Sequence, residues 1–164
     1  MKARQITPYL LLKLTLFFWL VGLLEGCTVT RRAKTRKVYK VIETAKSFRG
    51  SPHRLGGTTK QGVDCSGLIV CSFEAAGIHL PRTVKAQSKI GKRISVRRLR
   101  AGDLLFFATN RSRRKRINHA GIVTKLNGRK GVTFIHASIS KGVIESELFS
   151  PYYQKAYRRA RRVF

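Results

Sequence analysis

The stretch Gly62–Gly77, GVDCSGLIVCSFEAAG, decides how this chain is read. It holds Asp64, one of only two aspartates in the sequence, immediately before Cys65. An apolar run follows, with Leu68, Ile69, Ser72, Phe73 and Ala76 at helical spacing, and Gly77 marks the stop. A helix over Cys65–Ala76 puts the thiol at its N-terminus, where unpaired N–H groups and the helix dipole are expected to lower its pKa and sharpen it as a nucleophile. The same N–H groups can hold an oxyanion.

A nucleophilic cysteine needs a base. His119 stands at the head of HAGIVTKL, a run that reads as a strand. His136 stands near the end of VTFIHAS, which reads as the next strand. If the two are antiparallel neighbours, the start of one lies beside the end of the other. His136 then orients His119, and Cys65, His119 and His136 form a catalytic triad.

Working outward, Val38–Phe48 has the apolar spacing of a helix, Arg49–Val63 is a Gly- and Thr-rich loop, and Thr83 can cap a short helix reaching Ile90. DLLFFAT, HAGIVTKL, VTFIHAS and GVIESEL read as strands of an antiparallel sheet, with a last strand within Tyr157–Phe164. Helices first and sheet second predict an α+β domain over residues 38–164. Cys71, six residues after Cys65, points away from it and reads as a buried structural thiol. His79 reads as a loop residue, Asp103 as a turn residue entering a strand, and Tyr152, Tyr153 and Tyr157 as core or rim.

The chain has 164 residues, 35 Lys plus Arg against 7 Asp plus Glu, and 43% hydrophobic residues. That composition fits one globular domain and excludes a disordered basic tail. The charge of +28 calls for a polyanionic partner: nucleic acid, an anionic membrane or an acidic wall polymer. Three cysteines cannot all pair, and no CxxC spacing suggests a metal; no metal or cofactor is implied.

Residues 1–26 have the anatomy of a signal peptide: Lys2 and Arg4, then an apolar run whose core, Leu14–Leu24, is short of the about 20 residues a bilayer span needs. Its end, Leu24-Glu25-Gly26-Cys27, resembles a bacterial lipobox, with Glu25 where a small or apolar residue is usual. On that reading Cys27 is lipidated, residues 27–37 form a basic tether, and the protein sits in the cell envelope, on the periplasmic side of a membrane. The other reading is an uncleaved anchor helix. Export removes nucleic acid as a partner, and no nucleic-acid-reading motif is present.

Six segments together resemble the NlpC family of bacterial cell-wall cysteine endopeptidases: LGGTTKQGVDCSGLIV, GIHLPRT with Gln87 following, LRAGDLLFF, NHAGIV, FIHASISKGV and ARRV. The leader is similar to its lipoprotein branch of the NlpC/Spr type. The resemblance implies a papain-like fold, Cys65 as nucleophile, His119 as base, His136 as third member, and hydrolysis of peptide bonds in peptidoglycan stems by a monomer. It also implies that Asp64 and Ser66 line the substrate pocket; the alternative for Asp64 is a helix cap, and the two are compatible. His53, in SPHRLGG, stands where the family usually has Tyr near the substrate. Arg82 either touches substrate or packs. The basic run Arg111, Arg113, Arg114, Lys115 and Arg116 either grips an anionic polymer beside His119 or is a solvated loop. An inactive wall-binding module of the same fold is the rival function.

Overall fold

Four consecutive residues, Leu104–Phe107, are fully buried, which requires a strand covered on both faces. The computed structural model describes residues 8–110, 116–128 and 131–164, without the side chains of residues 8, 10–12 and 14–29. It divides into two units, Met1–Arg36 and Lys37–Phe164. In the first, the described residues are all helical, as the opening part of α1 (Pro8–Ser47). The helix expected over 38–48 is therefore the end of a longer one. Arg31, Arg32, Ala33, Lys34, Arg36 and Lys37 are good helix formers, and neither Gly nor Pro interrupts them. The expected start of the leader, residues 1–7, and the Cys27 side chain lie outside the description. Among the described residues no helix is long and apolar enough to cross a membrane.

In the second unit a small hairpin, β1 (Thr58–Thr59) and β2 (Gly62–Val63), leads into α2 (Cys65–Glu74) and α3 (Val84–Gln87). Six further strands follow: β3 (Lys92–Ile94), β4 (Leu104–Phe107), β5 (His119–Asn127), β6 (Gly131–Ser138), β7 (Gly142–Glu147) and β8 (Tyr157–Arg162). They form one antiparallel sheet in the order β3-β8-β4-β5-β6-β7. The expected α+β architecture is present.

Alternation sorts the side chains between two apolar layers. Leu104, Phe106, Ala120, Ile122, Ile135 and Ala137 pack against Val41 and Ala45 of α1 and Leu68, Ile69 and Phe73 of α2. Leu105, Phe107, Val123 and Phe134 pack on the other face with Leu99, Leu148 and Ala156. Each fully buried Phe or Leu contributes about 1.5–3 kcal/mol. The second face is closed by α4 (Pro151–Ala156), which the periodicity reading missed. Its start, a proline after Ser150, was the available signal. β3 also escaped notice, because it is three residues long, largely charged, and pairs only with β8.

α2 ends close to the expected place, with Gly77 at φ 71° turning the chain. Thr83 caps α3 by accepting the Ala86 N–H, but that helix stops at Gln87, short of Ile90. Asp103 is more than a turn residue. It is 1% exposed, caps the turn by accepting the Arg100 N–H at 2.8 Å, and receives Arg162 Nε at 2.7 Å and Nη2 at 2.8 Å. This forked pair ties the last strand to the entrance of the central one. Removing one member of a buried pair typically costs about 3–5 kcal/mol. Asp103→Ala is expected to lower unfolding stability by about 3 kcal/mol in a denaturant titration; a loss below about 0.5 kcal/mol would show that β8 is held by its ladder alone.

Candidate active site

Asp64 holds the N-terminus of α2 in place. Its side chain caps the helix, with the Gly67 N–H at 2.6 Å, and reaches back to the Gly56 N–H at 2.8 Å. Ser66 Oγ donates to it at 3.0 Å, and Arg82 clasps both carboxylate oxygens at 2.8 Å. Arg82 further donates to Ser66 Oγ at 2.8 Å and to the Gly57 carbonyl at 3.1 Å. Burial pushes the Asp64 carboxyl up, but Arg82 and the Gly67, Gly56 and Ser66 donors together bring it down to about 2. The capping reading of Asp64 is therefore realised, and Arg82 is the counter-charge that permits it. Gly67 is required by close packing: a Cβ there would collide with the Gly57 carbonyl.

The cap delivers Cys65 to the first turn of α2, where it is 8% exposed. Its thiol meets the backbone N–H of Ala120 on β5, and those of Ser66 and of Cys65 itself. The expected lowering of its pKa is reversed. Burial outweighs these N–H groups, the Asp64 charge adds to it, and the thiol is pushed up from 9.0 to about 11. Desolvation of a thiolate is the larger force, because the helix end faces the sheet and not water.

His119 opens β5, one residue before Ala120. Its Nε2 lies 3.0 Å from Nδ1 of His136, the two rings being nearly perpendicular at 87°. The antiparallel pairing of β5 with β6 brings them together. Gly121 permits the approach, since a Cβ there would lie 2.6 Å from Phe134 Cδ2 and 2.8 Å from the Ile135 carbonyl oxygen. Burial, then repulsion from His136 and His53, holds the His119 pKa down to about 3. Burial alone takes His136 down to about 4. Cys65 and His119 are thus both neutral at rest. With Nε2 engaged by His136, Nδ1 is the ring nitrogen of His119 outside that contact.

His53 bridges to Val63 and lies near enough to His119 for their charges to oppose. Ser66 is buried beneath Arg82. Cys71 is half-buried, not buried, and its thiol donates to the Thr58 carbonyl at 3.1 Å. His79 is exposed beside Glu74, as a loop residue should be. Of the basic run before His119, residues 111–115 lie outside the description. Arg116 lines, with Lys85, Asn110, Ile117 and Asn118, a cleft of about 350 Å³. Two side chains were missed. Ser146 Oγ lies 3.0 Å from His136 Nε2, and the Tyr153 hydroxyl 3.1 Å from it. Their spacing in sequence carries no signal; only the packing of β7 and α4 against β6 does.

Comparison with known proteins identifies the family to which this domain belongs. Over 125 residues the chain is 40% identical to the Escherichia coli (strain K12) protein named murein DD-endopeptidase MepS/murein LD-carboxypeptidase, covering 76% of this chain and 62% of that relative's length. It is 42% identical over 119 residues to the probable endopeptidase NlpC of the same strain, covering 72% of this chain and 73% of that one. The crystal structure of an NlpC/P60 family protein from Bacillus cereus ATCC 10987 superposes with a TM-score of 0.68 at 31% identity, over 77% of this chain and 40% of that one. The family description "NlpC/P60 family" matches residues 50–162, which include the Asp64 cap, Cys65 and both histidines, and the chain is a member of that family.

Proposed function

We propose that this protein is a cysteine peptidase that hydrolyses peptide bonds in peptidoglycan stem peptides. The observation that carries the proposal is the His119–His136 contact of 3.0 Å on a strand whose next residue, Ala120, offers its backbone N–H to a thiol held at a helix N-terminus. The printed names of the two Escherichia coli relatives, a murein endopeptidase and a probable endopeptidase, support the substrate class. The rival reading, a wall-binding module without activity, gives no reason for a buried imidazole pair on the strand that meets the thiol.

The reaction follows from the neutral resting pair. Cys65 Sγ attacks the scissile carbonyl carbon while its proton passes to His119 Nδ1. His136 Nδ1 accepts the His119 Nε2–H and stabilises the imidazolium. Backbone N–H groups at the start of α2 receive the developing oxyanion. The tetrahedral adduct collapses to a thioester as His119 returns the proton to the leaving amine. A water, deprotonated by His119, then attacks the thioester carbon and releases the carboxylate and the thiol. Asp64 acts through Arg82 and Ser66 to hold the pocket wall, and His53 faces the same pocket. Lys85 and Arg116 in the neighbouring cleft suit the carboxylates of the stem. The wider placement belongs to the same proposal: export on residues 1–26, lipidation of Cys27, and a monomer held on the periplasmic side of a membrane.

Purified muropeptides digested with the protein and analysed by mass spectrometry test the reaction. Cys65→Ala and His119→Ala are expected to lose hydrolysis with their circular dichroism unchanged. His136→Asn, which keeps an acceptor, should retain partial turnover, because orienting and base roles differ in cost by about 10²-fold or more. Cleavage by Cys65→Ala at the wild-type rate would remove the peptidase reading.

The raised thiol has its own signature. With Cys65 near 11 and His119 neutral, iodoacetamide labelling of Cys65 should climb by about one log unit per pH unit between pH 7 and 10. A flat rate from pH 5 upward would instead mean a preformed thiolate–imidazolium pair. For the anchor, radiolabelled palmitate should enter the wild-type protein and be absent from Cys27→Ala; equal label in both would rule out lipidation at that residue.

A further inference from the structure

His136 is fully buried, and both of its ring nitrogens are engaged. Nδ1 faces His119, while Nε2 faces two hydroxyls, Ser146 Oγ at 3.0 Å and Tyr153 at 3.1 Å. The three groups come from β6, β7 and α4, so the convergence is tertiary. Neither hydroxyl takes part in the reaction as derived above.

We propose that the Ser146 and Tyr153 hydroxyls are positioning groups that hold the proton of His136 on Nε2, and through it set the tautomer of His119. The proposal rests on the cysteine-peptidase reading. A neutral imidazole carries one N–H and one lone pair. When a hydroxyl oxygen accepts the His136 Nε2–H, His136 Nδ1 keeps its lone pair and accepts the His119 Nε2–H. His119 Nδ1 is then a bare lone pair, able to take the thiol proton. In the opposite arrangement His136 donates from Nδ1, His119 accepts at Nε2, and the His119 proton sits on Nδ1. That tautomer cannot act as a base toward Cys65.

A histidine in the third position creates this need. A carboxylate there would accept by its nature, whereas an imidazole accepts at one nitrogen only if its proton is held at the other. Burial lowers the His136 pKa, so the ring is neutral and carries one N–H. Both hydroxyl oxygens carry lone pairs that can take the imidazole N–H at Nε2, Ser146 Oγ at 3.0 Å and Tyr153 at 3.1 Å. The rings of Phe134 and Tyr153, with centroids 5.0 and 5.3 Å from that of His136, pack around the imidazole and keep its plane fixed.

The test reads the protons directly, by NMR of full-length protein labelled with ¹⁵N-histidine at neutral pH. The expected wild-type result is the Nε2–H tautomer for both His136 and His119. A wild-type His136 protonated on Nδ1 would overturn the proposal whatever any variant does. In the Ser146→Ala, Tyr153→Phe double variant, Nδ1–H signals should appear. A wrong-tautomer histidine costs a serine protease about 10⁴-fold in kcat, so mixed tautomers predict a fall of at least about tenfold in kcat with KM within about twofold. Ser146→Thr combined with Tyr153→Phe restores one hydroxyl and should recover both the tautomer and most of kcat. A double variant that keeps the Nε2–H tautomer and the wild-type kcat would also overturn it. Wild-type protein with the Nε2–H tautomer that cuts no muropeptide would refute the peptidase reading while upholding the hydroxyl–imidazole pairing.

Discussion

Donors from four directions converge on the Asp64 carboxylate: the Gly56 and Gly67 amides, the Ser66 hydroxyl and the Arg82 guanidinium. An ionised carboxylate this deeply placed would be unaffordable without them. With them it becomes a rivet joining the loop before β1, the first turn of α2 and the segment that leads into α3. The position of Cys65, the next residue, is set by that rivet. This is why a chain with so few acids keeps one beside the thiol: the charge orders the backbone that presents the sulfur.

The second constraint is water exclusion. α2 lays its N-terminus on β5, so the sulfur meets a backbone N–H of the sheet and little solvent. The same burial keeps His119 and His136 unprotonated. A site built this way stores no ion pair at rest. On the proposed reaction it makes charge only when substrate supplies the electrophile, and it meets that charge with fixed dipoles that need no reorganisation. The neutral third histidine fits such a site, provided that its own proton is held away from His119.

Among the described residues the other acids also have partners: Glu43 meets Lys46, Glu74 meets His79, Asp103 meets Arg162, Glu145 meets Arg49 and Thr124, and Glu147 meets Thr133. Seven acids against 35 Lys and Arg leave a large basic excess, and Lys85 and Arg116 place part of it at the cleft that Asn118 also lines. Such a field attracts anionic polymer over a Debye length of about 8 Å at physiological ionic strength and does little for the fold itself.

What the sequence determined alone follows from local chemistry. The helix at Cys65, the caps at Asp64 and Thr83, the stop at Gly77 and the strands at DLLFF, HAGIV and FIHAS each rest on spacing or turn preference within a few residues, and an antiparallel β5–β6 pair sets the start of one strand beside the end of the other. That was enough to bring His119 to His136. Tertiary structure decided everything that depends on desolvation or on elements distant in sequence. A helix end lowers a thiol pKa only if water or charge can reach it, and whether α2 faces solvent or sheet is not written in its own residues. Asp103 finds Arg162, and His136 finds Ser146 and Tyr153, across gaps that no local periodicity spans. Burial and long-range pairing are properties of the packed whole, so the candidate reacting groups were legible in the chain, while their protonation and their supports had to await the fold.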